Sequence, residues 1–263
     1  MKPSQASKPK KSIRPGDIFA LGSSRLACGD SCDPVLLDHL LGTQKIDLIA
    51  SDPPYGVGIV ESKEYLKNPS KHKAIANDQL QSEEEYVNFS KKWLDAISLH
   101  LAQKSSFYIF NADKMLFALK KALDESGYHF CQLLIWAKTG AVIGRMDYLP
   151  QHELIVYGWK GTHKFVKEQD KSVIIYPKPK RSPLHSTMKP PGLMRRLILN
   201  STSIGENVFD GFLGSGTTLV VAEQIGRQCF GVELSPEYCQ TIIDRYEKTF
   251  GKNAEFLTNA YDA

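Results

Sequence analysis

Short apolar runs, each the length of a strand, alternate with stretches of helical period along most of this chain. That alternation is the strongest constraint on its fold. "KIDLIAS" (45–51), "SSFYIFN" (105–111), "NVFDGF" (207–212) and "CFGVEL" (229–234) are strand-like. "PVLLDHLL" (34–41), "DKMLFALKKALDESG" (113–127), "TTLVVAEQIG" (217–226) and "SPEYCQTIIDRYEKTF" (235–250) are helix-like. Strands that read as unbroken apolar runs are covered on both faces. Strands alternating with helices therefore predict an α/β fold, with a mostly parallel sheet and helices on both faces. In such sheets ligands sit at the carboxyl ends of the strands.

The remaining segments fill in that frame. "DIFALG" and "SRLACGD" read as two strands joined at Gly22-Ser23. Ser82 and Glu85 form a capping box, followed by Tyr86, Phe89, Trp93, Ile97 and Leu101 at helical spacing. "FCQLLIWAK" and "HELIVYGWK" predict an antiparallel pair at one edge, and "PPGLMRRLILNSTS" a helix that begins at proline. The stretch 57–80 is polar and without periodicity, which predicts a long mobile loop.

No window of about 18 apolar residues is present, so no membrane span is expected. The first 16 residues hold five Lys/Arg and no acid, without the apolar core of a signal peptide. They read as a basic disordered tail ahead of a single domain over 17–263. Five cysteines (28, 32, 131, 229, 239) show no metal-ligand spacing, which fits reduced thiols in the cytoplasm and no metal site. Net charge is +4, yet residues 160–196 alone hold ten Lys/Arg and two acids, so what lies outside that segment and the tail is net acidic. Such a distribution suggests a local polyanion contact, placed here at 160–184; a solvated charged loop is the competing reading.

Two strand ends carry the chemistry. At the first, the strand 45–51 runs into Asp52-Pro53-Pro54-Tyr55, where two prolines end any ladder. At the second, "DGFLGSGTT" (210–218) is a glycine-rich turn into a helix. It is not a P-loop, because Thr217 stands where the lysine would be, and counting Gly214 as the first position the sixth is Leu219, which breaks a dinucleotide fingerprint. A loop with an acid before it (Asp210) and another at the end of the next strand (Glu233) suits a cofactor with a ribose and no phosphate. S-adenosylmethionine (SAM) fits: Glu233 would accept the ribose hydroxyls and the helix start at Thr217 would favour a carboxylate. An ordinary βαβ turn is the competing reading. If SAM lies there, Asp52 and the Pro53 carbonyl can each accept a hydrogen from an exocyclic base amine. That would aim the nitrogen lone pair at the methyl group. Tyr55 offers a stacking face, worth about 1–3 kcal/mol. A base inside a duplex reaches such a turn only by flipping out.

Together "DPPY" and "FLGSGTT" resemble the amino-methyltransferases that modify DNA at adenine N6 or cytosine N4. With DPPY first and the SAM loop last, the order is similar to the circularly permuted β class of that family. "HSTMKPPGLMRRLILNSTS", "GVELSPEY", "RLACGDS" and "QHELIVYG" resemble further family segments. The resemblance spans about residues 16 to 250 and implies a seven-stranded-type, Rossmann-like methyltransferase sheet. It implies Asp52, Pro53, Pro54 and Tyr55 as the catalytic corner. For SAM it implies Asp210, Phe212, Gly214, Gly216, Thr217, Thr218 and Glu233, with Asp30 near the adenine and Lys189 near the carboxylate. Phe212 is either a stacking face or a core residue. Gly211 replaces a proline common in the family. Aspartate at 52 favours adenine, since the cytosine-N4 members more often carry serine. The implied partner is double-stranded DNA with its target base flipped, and a homodimer is an open option. The implied setting is a prokaryotic or phage-borne, nucleoid-associated enzyme, with restriction-modification, phage-borne defence and housekeeping roles all open. Cytosine N4, RNA adenine and a non-catalytic nucleic-acid-binding role are the alternatives.

Overall fold

The computed structural model describes residues 12–56, 82–141, 147–177 and 188–262. Among the described residues ten strands form one sheet: β1 (Asp17–Leu21), β2 (Ser24–Cys28), β3 (Ile46–Ser51), β4 (Leu101–Asn111), β5 (His129–Ala137), β6 (His152–Trp159), β7 (Val173–Ile175), β8 (Asn207–Asp210), β9 (Gln228–Glu233) and β10 (Glu255–Asn259). Their spatial order is β10-β1-β2-β9-β8-β3-β4-β6-β5-β7. The central strands β2, β9, β8, β3 and β4 are mutually parallel. The β1–β2 hairpin and the β6–β5 pair add the antiparallel flanks. The chain thus folds as the α/β, mostly parallel sheet that the alternation implies. Strand β2 lies beside β9, so the sheet closes by pairing an N-terminal strand with a C-terminal one.

Period-two alternation sends the strand side chains to two cores. Ile49, Phe107, Ile109 and Phe209 face one layer, made with helices α1 (Pro34–Leu41), α2 (Glu83–Ser98) and α3 (Leu116–Glu125). Leu48, Ala50, Tyr108, Phe110 and Val208 face the other, made with α4 (Pro191–Ser201), α5 (Thr217–Gln224) and α6 (Pro236–Phe250). The capping box at α2 is formed as the sequence implies: Glu85 N–H donates to Ser82 Oγ at 3.2 Å and Ser82 N–H to the Glu85 carboxylate at 2.7 Å.

Three elements differ from expectation. Leu101 does not continue α2; the helix stops at Ser98, and β4 begins at Leu101 because Ile46 pairs with it across the sheet. β7 and β10 are strands that the sequence pattern did not mark. β7 lies outside β5, so the β6–β5 pair is one strand in from the edge.

Candidate active site

Parallel strands put β3 and β8 side by side, with Leu48 opposite Val208 and Ile49 opposite Phe209. Both strands therefore finish on the same rim. Ser51 is the last residue of β3, and its Oγ accepts the Gly211 N–H at 3.1 Å. That bond ties the turn at Asp52 directly to the start of the glycine loop. Two segments about 160 residues apart in sequence become neighbours because of sheet order alone.

At the turn, Pro53 is buried and Asp52, Pro54 and Tyr55 are half-buried. The Tyr55 hydroxyl donates to Asp52 Oδ1 at 2.5 Å. Lys189 Nζ, just ahead of α4, donates to Asp52 Oδ2 at 2.5 Å and lies 3.1 Å from Glu153 Oε2. Glu153 Oε1 pairs with Lys138 Nζ at 2.8 Å. β6 runs antiparallel to β4, so its start delivers Glu153 to this rim, and the end of β5 brings Lys138. Burial and the Asp52 charge push the Tyr55 hydroxyl well above its ordinary pKa, so it remains a donor. Burial opposes the charge on Lys189, but Asp52 and Glu153 outweigh it and hold its pKa above that of an ordinary lysine. For Glu153 burial acts upward, yet Lys189 and Lys138 prevail and the carboxyl is held low.

The glycine loop turns through two left-handed residues, Gly214 (φ 53°) and Gly216 (φ 76°). Gly214 N–H donates to Glu233 Oε2 at 2.8 Å and Ser235 N–H to Oε1 at 2.9 Å. Glu233 thus stands beneath the loop, held by backbone N–H groups of Gly214, Ser235 and Leu234, with acceptor capacity left for a further donor. Burial raises its pKa. Asp210 is buried, and desolvation outweighs the hydroxyls of Thr218 and Ser51 and the Phe212 N–H to push it up to about 7. Thr217 and Thr218 are buried at the start of α5, where Arg245 Nη1 reaches Thr217 Oγ1 at 3.1 Å and Ser215 O at 2.8 Å. Gly29 N–H bonds Glu233 O at 3.0 Å, which sets Asp30 one residue beyond the same rim. Asp30 lines a cleft of about 530 Å³ with Cys32, Glu85, Asn88, Phe89 and Lys92. Phe212 packs on Phe89 and Trp93, with ring centroids 5.9 and 5.6 Å apart, so its ring joins a half-buried aromatic cluster beside that cleft.

The residues the sequence singles out thus lie along one rim. Lys189 is the exception in detail: its ammonium is engaged at the Asp52 turn. Glu153 and Lys138 belong to the site and were not singled out. The available signal was a charge within a strand whose following residues are all buried, "HELIVYG". The basic segment 160–184 divides. Lys164 bonds Asp47 at 2.9 Å and Glu206 at 2.6 Å, at the amino ends of β3 and β8, which is the rim opposite Asp52. Lys167 pairs with Asp170 at 3.7 Å. Both charges are neutralised within the protein because Asp47, Glu206 and Asp170 lie against them. Residues 178–184 of that segment, the loop 57–80 and most of the N-terminal tail lie outside the described residues. Among the described residues no helix is long and apolar enough to cross a membrane.

Comparison with known proteins agrees with this geometry. Residues 46–244 match the family described as DNA methylase. The type II methyltransferase M.HpaI of Haemophilus parainfluenzae is 28% identical over 236 residues, covering 80% of this chain and 71% of that protein. The type II methyltransferase M2.DpnII of Streptococcus pneumoniae is 28% identical over 226 residues, covering 78% and 83%. The fold is that of the PvuII DNA methyltransferase (cytosine-N4-specific), with TM-score 0.64 at 17% identity over 86% of this chain and 92% of that one. It is also that of the M1.HpyAVI–SAM complex, with TM-score 0.62 at 20% identity over 84% and 98%. With the family profile spanning most of the sheet and both strand-end motifs, the chain belongs to the DNA methylase family.

Proposed function

We propose that this protein methylates the exocyclic N6 amine of an adenine flipped out of DNA, using SAM. The observation that carries the reading is the 3.1 Å bond from Gly211 N–H to Ser51 Oγ, which joins the amine-gripping turn to the glycine loop. The residues present suit the cofactor. Glu233 retains acceptor capacity for a ribose hydroxyl, Gly214 and Gly216 give the loop its tight left-handed turn, and the Asp30 cleft is lined by Phe89, on which Phe212 packs. When bound, SAM supplies an electrophilic methyl group on sulfur.

The chain's own residues do the rest. Asp52 and the Pro53 carbonyl accept the two amine hydrogens and hold the nitrogen with its lone pair free. Asp52 then stabilises the positive charge that grows on that nitrogen as its new bond forms. The Tyr55 hydroxyl, fixed on Asp52, sets the orientation of the ring on which the base stacks. The two prolines, Pro53 buried and Pro54 half-buried, keep these acceptors from reorganising. Aspartate at 52 is the basis for adenine over cytosine.

The test is methyl transfer from tritiated SAM to DNA from a methylation-free host, followed by sequencing of the modified bases. N6-methyladenine at a defined site is expected. N4-methylcytosine would replace the base assignment, and binding of SAM without transfer to DNA or RNA would replace the enzymatic reading.

A further inference from the structure

In this structure both oxygens of Asp52 already carry donors, the Tyr55 hydroxyl on Oδ1 and the Lys189 ammonium on Oδ2. An incoming amine needs one of these positions. The ammonium is the donor at odds with the reaction. The target nitrogen becomes cationic as its bond to carbon forms, and a second cation on the same carboxylate opposes that charge. Glu153 offers the alternative. Its buried Oε2 already pairs with Lys189 Nζ at 3.1 Å, and among the described residues no other group bonds that oxygen. A buried carboxylate oxygen with one such contact has lone-pair capacity to spare, so it can take a larger share of the ammonium. The Phe110 ring, 4.8 Å from Nζ, underlies the ammonium, and a lysine stem reorients its three donors easily. The cluster of Lys138, Glu153, Lys189 and Asp52 holds two charges of each sign, so the transfer leaves its balance unchanged.

Resting on the amino-methyltransferase reading above, we infer that Lys189 closes the Asp52 pocket until the target amine enters, and that Glu153 is the positioning residue that then takes its ammonium. Glu153→Gln leaves the cluster with an excess positive charge and Lys189 held on Asp52. Glu153→Gln with Lys189→Met restores neutrality and leaves no ammonium to displace.

Three proteins are compared for kcat at saturating SAM on DNA from a methylation-free host, with SAM affinity by calorimetry and thermal melting of each. Glu153→Gln is expected to lower kcat about tenfold or more with its SAM affinity unchanged. The double variant is expected to recover to within about threefold of wild type. A double variant no faster than Glu153→Gln overturns the inference, as does a Glu153→Gln protein with wild-type kcat. A general structural role for Glu153 predicts no recovery from a second substitution. The wild-type arm separates the two claims: if it transfers no methyl, the functional reading falls first. A second readout needs no variant: a crystal structure of the wild-type protein with S-adenosylhomocysteine and a duplex carrying the site identified by sequencing. Lys189 Nζ bonded to Glu153, with the amine on Asp52, is expected. Lys189 still on Asp52 beside the bound base overturns the inference.

Discussion

A carboxylate can hold a substrate only with lone pairs that its neighbours release, and at Asp52 every neighbour is a donor. None of them belongs to the glycine loop, so its role separates from cofactor binding. Asp52→Ala is expected to lower methyl transfer on the order of a hundredfold or more, as loss of a pre-organised charge partner does, while calorimetry finds SAM affinity little changed. An equal loss of both would place Asp52 in the cofactor site. Asp210 poses the opposite problem, a buried acid whose ionised form is disfavoured chiefly by desolvation. With a folded pKa of about 7 against an unfolded value of 3.8, its contribution to stability is complete below about pH 4 and is lost as pH rises through 7. Asp210→Asn removes the burden of ionising in place. The variant is expected to match wild type in urea unfolding at about pH 4, to gain on it as pH rises and to exceed it most near pH 8, while binding SAM more weakly. A wild-type advantage at pH 8 would show that Asp210 ionises there without penalty. Asp52 and Asp210 were legible in the sequence because one directly follows a strand and the other ends one. Glu153 and Lys138 were not, because their significance lies in meeting Lys189, and no local pattern encodes a meeting across four segments.

The glycine loop shows how much an element depends on one backbone angle. Gly216 starts α5 at φ +76°, and a Cβ there would stand 3.0 Å from two carbons of Ile242, which is fully buried in α6. Gly216→Ala therefore meets left-handed strain and a neighbour with no room to retreat. It is expected to cost about 1–3 kcal/mol in urea unfolding, from strain and overpacking together. It should also weaken SAM binding by shifting Gly214 N–H from Glu233. Unchanged stability would mean that α6 yields. At this scale the sequence was most readable where local and tertiary signals agree. The helices α2 and α6 begin at the serines that cap them, and each central strand is an apolar run. Reading failed where tertiary pairing decides. Leu101 continues the helical spacing of α2, but Ile46 draws it into β4. β10 exposes four of its five residues and shows no alternation, so only its pairing with β1 makes it a strand. β7 is three residues long and rests on β5 alone. Pairing also decides what a charge run means: charge counted along the chain does not reveal that Lys164 is met by Asp47 and Glu206 and Lys167 by Asp170.

Across the whole molecule, the sheet is closed by strands from both ends of the described chain, and one side chain fastens that closure. Asn259, at the end of β10, donates to Asp17 Oδ1 at 2.9 Å and to Pro15 O at 3.0 Å, and accepts Tyr261 N–H at 2.9 Å. Asp17 is 1% exposed, and its carboxylate is held by Asn259, by the Arg14 N–H at 3.0 Å and by the Arg14 guanidinium at 3.6 Å. Asn259→Ala removes one of these supports from a buried charge, at an expected cost of about 1.5–3 kcal/mol. β10 and β1 are separated from β3 by β2, β9 and β8, so the Asp52 turn is remote from this edge. β2 nonetheless belongs to the parallel centre, and its pairing with β9 carries any loosening of the hairpin into the cofactor strands when the protein unfolds. Calorimetry of Asn259→Ala should therefore show one transition, lowered by about 3–12 °C for a chain of this size, with kcat at 25 °C unchanged. Two resolved transitions would mean that the edge melts by itself and that β2 is not part of the same cooperative unit. A fall in kcat at 25 °C would mean that strain at the edge reaches the rim through the three intervening strands.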